Sequence, residues 1–267
     1  MGTRLAFLVL AAATMACVQT TSVSPDTNTL VVHAVLDPGV QHQLIVVQTT
    51  TGALAGQRQV TGAVVTIATP DGRTLTAVER QDTAAVWVPR CESCSLPFPK
   101  VTTIYDLDVG GAGLMPGGTY QLRVVAPDGR TITGRTTIPN AVPSTATAPT
   151  QTIDRDRDTV SVQWSRVVGA RSYQVFIRST AGSYNLFAAD TSVVLPGTVK
   201  VLDNGEDVFE RRLPHQLAVI AVDENYFDYY HRTSDLFTAT GLVMHLDGGV
   251  GVFGSVVTVA TRTIVVQ

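Results

Sequence analysis

Two stretches of the chain, TIATPDGRTLTA at 66–77 and RVVAPDGRTITG at 123–134, follow nearly the same formula: an alternating run, Pro-Asp-Gly, then a second alternating run. Proline presets φ at the corner, aspartate can bond its own backbone two residues on, and glycine accepts the positive φ that closes the turn. Apolar residues alternating with threonine have a period of two, that of a strand with one buried face. Each stretch predicts a hairpin. The likeness is attributed to shared turn chemistry rather than to duplication.

The same pattern extends along the first half. Residues 29–36 and 42–50 predict strands about an Asp37-Pro38-Gly39 turn. Residues 63–69, 73–79, 83–88, 103–109, 119–126 and 130–138 continue the series. Short β-branched runs at this spacing predict an antiparallel sandwich over 28–140. Hydrophobic residues make up 45% of the chain and charged residues 15%, which is enough apolar material for a core and too little charge for disorder. Residues 141–151 (AVPSTATAPTQ) have no period and predict a linker. Strict alternation resumes at 159–165 and 171–179, followed by 183–188, 192–196, 208–213 and 215–222, with Trp164 and Tyr173 on the apolar phase. These predict a second sandwich over 152–240, with 241–267 as a C-terminal hairpin or strand. The fold class expected is all-β, two tandem β-sandwiches, with helix scarce and the aromatic segment near 226–230 in a loop.

The N-terminus carries the sharpest functional signal. Arg4 precedes an apolar run from Leu5 to Met15, too short to span a bilayer as a helix, which fits the central region of an exported leader. Thr14-Met15-Ala16-Cys17 follows, with a small residue directly before the cysteine. It resembles a bacterial lipobox, although Thr14 stands where leucine is usual. The expectation is a signal peptide at 1–16, lipidation at Cys17, and a polar tether at 17–27. Residue 18 is valine rather than aspartate, which favours the outer membrane. The remaining cysteines, Cys91 and Cys94, lie in a proline-rich stretch, and an oxidising compartment makes a local disulfide the expectation; zinc would need two more ligands. The formal net charge is −3 with no basic cluster, so nucleic acid is not an expected partner.

Chemistry is sparse. There is no G-x-S-x-G nucleophile elbow, and the five histidines (33, 42, 215, 231, 245) are scattered. Asp106 and Asp108, and Asp223 beside Glu224, are read as solvated edges rather than catalytic pairs. Asp154, Asp156 and Asp158 alternate as in calcium loops, but the interleaved Arg155 and Arg157 favour a solvated turn. No catalytic residue, metal or cofactor is expected. Tyr226, Phe227, Tyr229 and Tyr230 crowd into five residues: either a loop that folds back and packs under the tail, or a candidate surface for protein or glycan contacts, because tyrosine joins an apolar face to a polar tip.

TVSVQWSRVVGARSYQVFIRS, 159–179, resembles two strands of a fibronectin type III (immunoglobulin-like) domain. The segment 60–126 resembles a carboxypeptidase-regulatory or transthyretin-like sandwich. The order LVVHAVL, VTGAVVTI, LMPGGTYQLRVVAPDGR, DENYFDYYHRTSD, GGVGVFGS resembles an uncharacterised family of exported lipoproteins, a domain of unknown function often linked with TonB-dependent receptors. The resemblance implies a location and a partner class, and no catalytic residues. The expected function is thus a non-catalytic, lipid-anchored envelope protein with a binding or scaffold role in nutrient uptake. The alternatives are a glycan or peptide hydrolase with its site between the domains, and a purely structural spacer.

Overall fold

The structure, a computed structural model, describes residues 28–50, 57–81, 103–111, 113–144, 149–180, 182–201, 205–233 and 244–267. Cys17, Cys91 and Cys94, the expected strand at 83–88 and residues 145–148 of the expected linker lie outside the described residues.

In the first half, β1 (Leu30–Leu36), β2 (His42–Thr50), β3 (Gln57–Gln59), β4 (Val64–Ala68), β5 (Thr74–Thr76), β6 (Val78–Gln81), β7 (Thr103–Asp108), β8 (Thr119–Val125) and β9 (Thr131–Thr137) form two layers. One layer runs β1-β2-β7-β6 with β3 on β2; the other runs β9-β8-β4-β5. Their alternating apolar residues meet in one core: Val32, Ile45, Val47, Tyr105 and Leu107 against Val65, Ile67, Leu122, Val124 and Ile132. Both Pro-Asp-Gly stretches form the predicted hairpins, β4–β5 and β8–β9, with the same turn. Gly72 N–H donates to Thr69 O and Gly129 N–H to Ala126 O, at 3.0 and 2.9 Å, and both glycines have positive φ. In each, the aspartate also pairs with the arginine two residues on.

In the second half, β10 (Thr150–Ile153), β11 (Thr159–Gln163), β12 (Ser172–Arg178), β13 (Ser183–Ala188), β14 (Ser192–Pro196) and β15 (Pro214–Val222) are followed by helix α1 (Glu224–Thr233). The chain ends in β16 (Leu246–Asp247) and the 17-residue β17 (Val250–Val266). The pair β11–β14 faces the sheet β13-β12-β15-β17, with β10 also on β17. This is the connectivity of an immunoglobulin-like sandwich. Val160, Val162 and Leu195 pack there against Val175, Ile177, Leu217, Val219 and Ile264. Trp164 closes the end of this core, 5.2 Å edge-on from Tyr173, whose hydroxyl accepts the Val167 N–H at 2.8 Å.

Strand β17 belongs to both halves. Val250–Ser255 pair in parallel with β1, while Val256–Val265 pair antiparallel with β15. The register slips at Val219/Ile220, leaving Val259 as an extra residue in β17. A bulge bends a strand, and here Val259 and Ala141 each touch both cores. The tail is therefore not a hairpin: β16 pairs with β9, and β17 joins the main sheet. Residues 208–213, expected as a strand, are irregular up to β15, where Arg212 takes a positive φ. The segment expected as an aromatic loop is helical.

Two glycine and histidine positions test this packing. A Cβ on Gly251, whose φ is positive, would lie 2.0 Å from Val32 O. Gly251→Ala should destabilise the protein by roughly 3 kcal/mol in urea denaturation; an unchanged midpoint would contradict the β1–β17 register. His33, on the β1 face away from the first core, sits edge-on to Tyr229 at 5.6 Å. Burial lowers its pKa to about 4. Because the unfolded histidine titrates higher, near 6.5, stability is full above that value and is lost as pH falls toward 4. His33→Phe should flatten that part of the melting-temperature profile.

Candidate functional site

A concavity of about 950 Å³ lies on the outer face of the β9-β8-β4-β5 sheet. Its floor follows from the pleat. Residues opposite the buried Leu122, Val124 and Ile132 must point outward, and these include Thr66, Gln121, Arg123, Thr133, Arg135 and Thr137. Its wall is the start of α1 together with Met244–Asp247.

A buried polar junction fixes that wall. Asp223 follows β15 and caps α1: its Oδ1 accepts the Tyr226 N–H at 2.9 Å and the Ser255 N–H at 3.1 Å. Its Oδ2 accepts the Thr136 hydroxyl. Ser255 Oγ donates to Thr137 O at 3.0 Å. The backbone of Asp223 and Ser255 is joined as well, with Asp223 N–H donating to Ser255 O. One carboxylate thus ties β9, β15, β17 and α1. Asn225 repeats the tie one residue into the helix, donating through Nδ2 to Arg135 O at 2.6 Å and Phe253 O at 2.8 Å. Burial raises the Asp223 pKa, and hydrogen bonds from Thr136, Tyr226 and Ser255 offset part of the rise. Further along α1, the buried Asp228 carboxylate meets His245 Nε2 at 2.9 Å, which holds the 244–247 segment against the helix.

Of the two readings of the aromatic quartet, packing against the tail holds for Tyr226 and Tyr230, on a helix rather than in a loop. On α1, Tyr226 and Tyr230 are 3% and 9% exposed, and with Val222, Val252 and Val256 they form a third apolar cluster. The Tyr226 hydroxyl donates to Gln174 Oε1 at 2.8 Å. Burial raises its pKa. These two rings fasten the helix to the sheet and present no binding surface. Phe227 and Tyr229 remain half-buried, Phe227 stacked on His231 at 4.5 Å with the Arg171 guanidinium 4.7 Å from its ring.

Asp108 and Glu224 are exposed as expected, whereas Asp106 and Asp223 are buried. Asp106 is 5% exposed and pairs with Arg80 Nη2 at 2.9 Å and His42 Nδ1 at 3.0 Å. Asp223 is the buried cap described above. Asp154, Asp156 and Asp158 do form a turn, in which Asp154 N–H donates to Asp158 and Asp156 N–H to Asp154. No group of three or more potential metal ligands occurs among the described residues.

Sequence patterning did not single out Thr136, Asn225, Asp228, Ser255 or the two outward arginines. The helix itself had a signal: a capping residue at 223, Glu224 in the first turn, and Tyr226/Tyr230 and Phe227/His231 at the i, i+4 spacing of one helical face.

Fold and site together define an all-β, sandwich-type protein with a walled polar groove on one outer sheet. The model of the family described as a domain of unknown function, DUF4249, matches residues 18–260, and the chain belongs to that family. No curated protein matches it. Among the described residues no helix is long and apolar enough to cross a membrane.

Asp223→Ala should lower stability by about 2 kcal/mol through loss of the cap and of the Thr136 and Ser255 bonds, and should speed amide exchange in α1 more than in β2. Equal exchange rates in wild type and variant would remove the junction from the account. The pH effect has the opposite sign to that of His33: a raised carboxyl pKa means that stability is full below the unfolded value, near 4, and declines as pH rises through the folded value.

Proposed function

We propose that the protein is a non-catalytic, lipid-anchored component of the bacterial cell envelope, held at the outer membrane through Cys17, that binds a ligand or partner for nutrient uptake. The observation that carries the binding role is the groove: a rigid sheet floor, a wall fixed by buried hydrogen bonds, and polar side chains directed into open space. Sites of this kind, preorganised on regular elements, retain specificity at low entropic cost. The anchor is supported by the lipobox-like stretch before Cys17 and the polar tether after it. The TonB-dependent receptor enters as a partner class through the family resemblance alone.

Two measurements test this. Intact mass and membrane fractionation should find lipid on the wild-type protein in the outer-membrane fraction and a soluble, unlipidated Cys17→Ser; two soluble, unmodified proteins would rule out the anchor. Thr133→Trp places a ring on the groove floor, and should leave the melting temperature within a few degrees while removing co-purifying receptor or glycan. Undiminished recovery with the variant would move the binding role away from the groove.

A further inference from the structure

Arg123 and Arg135 sit on adjacent antiparallel strands. Arg123 is opposite Thr133, and Arg135 is opposite Gln121, so the two arginines are diagonal neighbours about 7 Å apart at the backbone, within mutual reach of long side chains. Both are exposed and both line the groove. Neither guanidinium makes an ion pair or hydrogen bond within the described structure. This is unlike Arg73 and Arg130 on the neighbouring turns, which are held by Asp71 and Asp128. Two like charges side by side repel each other, and the carboxylates that share the groove, Glu224 and Asp247, form no ion pair with either guanidinium. An anion bridging both guanidinium groups would relieve that repulsion.

The surrounding groups narrow the kind of anion. Thr133 offers a hydroxyl that can donate and accept, Thr66 and Thr137 offer hydroxyl oxygens with capacity left beyond their bonds to Arg123 O and Thr119, and Gln121 adds an amide. Across from them, Glu224 and Asp247 supply acceptors on the wall, with Asp247 opposite Thr133 in the β9–β16 pair. A ligand suited to this floor carries negative charge at one place and many hydroxyls around it. An acidic peptide would reach the arginines but has few hydroxyls to pair with the threonines, Gln121 and the acidic wall. We propose that the groove binds an acidic saccharide, with a uronate carboxylate on Arg123 and Arg135 and the ring hydroxyls on the threonines and the Glu224–Asp247 wall. The proposal rests on the groove being the binding site and adds the chemical class of its ligand.

The test is titration calorimetry of the full-length protein with uronate oligosaccharides (galacturonate, glucuronate and mannuronate series), their methyl esters, and a glutamate peptide. At least one acidic oligosaccharide should bind, at least tenfold more tightly than its ester, with affinity falling as salt rises. Arg123→Gln/Arg135→Gln should lose at least tenfold, and the double lysine variant should keep part of the affinity because charge remains while the bidentate fork is lost. Melting temperatures of the free variants, at or above wild type, verify folding. Esters binding as well as acids, with the glutamine variant unimpaired, would overturn the acidic ligand and leave the groove reading intact. A glutamate peptide binding as tightly as any saccharide would overturn the saccharide class. Binding by none of the probes would overturn the proposal altogether, while Thr133→Trp tests the groove independently.

Discussion

A strand offers hydrogen-bonding groups along both edges, and buried ones must be satisfied. In β17 that requirement is met by partners from opposite ends of the chain: β1 along Val250–Ser255, β15 along Val256–Val265, and β10 at Thr263–Val266. The last strand therefore closes a sheet opened by the first. Gly251 allows the close approach to Val32, and the bulge at Val259 turns the strand from one core to the next. Phe253 and Val257 fill the first core, and Ile264 and Val266 the second. Neither sandwich is complete without this strand.

The junction at Asp223 depends on that closure. Ser255 reaches the carboxylate only because β17 passes between β1 and β15 at that height, and Thr136 arrives from the facing layer. Placing a carboxylate there has a desolvation cost, reflected in its raised pKa. Three hydrogen bonds offset that cost and set the direction in which α1 leaves the sheet. The helix then buries Tyr226 and Tyr230 and leaves Glu224 and Asn225 over the β8–β9 floor. Strand closure, helix capping and groove geometry are linked through one side chain.

Most of the strands were legible in the sequence because turn chemistry and period-two alternation are local signals. The twin Pro-Asp-Gly hairpins and the alternation about Trp164 and Tyr173 survive intact in the fold. The helix was obscured because its ten residues carry tyrosine and phenylalanine, residues that also favour strands, and tertiary burial of Tyr226 and Tyr230 decides the outcome. The shared role of β17 was hidden for another reason: β1 lies more than 200 residues away, β10 about 110 and β15 about 40, and apolar runs do not state whom they pair with. The groove was hidden similarly. Arg123 and Arg135 are ordinary outward positions in their own strands, and only the register of β8 against β9 makes them neighbours.

Because β17 supplies residues to both cores, the two sandwiches should unfold as one cooperative unit. Native-state hydrogen exchange with increasing urea measures this most directly, by comparing β17 amides with those of β2 in the first core and β12 in the second. The slowest amides of all three should converge on one opening free energy and one dependence on urea. Separate values for β2 and β12, with β17 following only one of them, would show two independent domains and contradict a single cooperative unit.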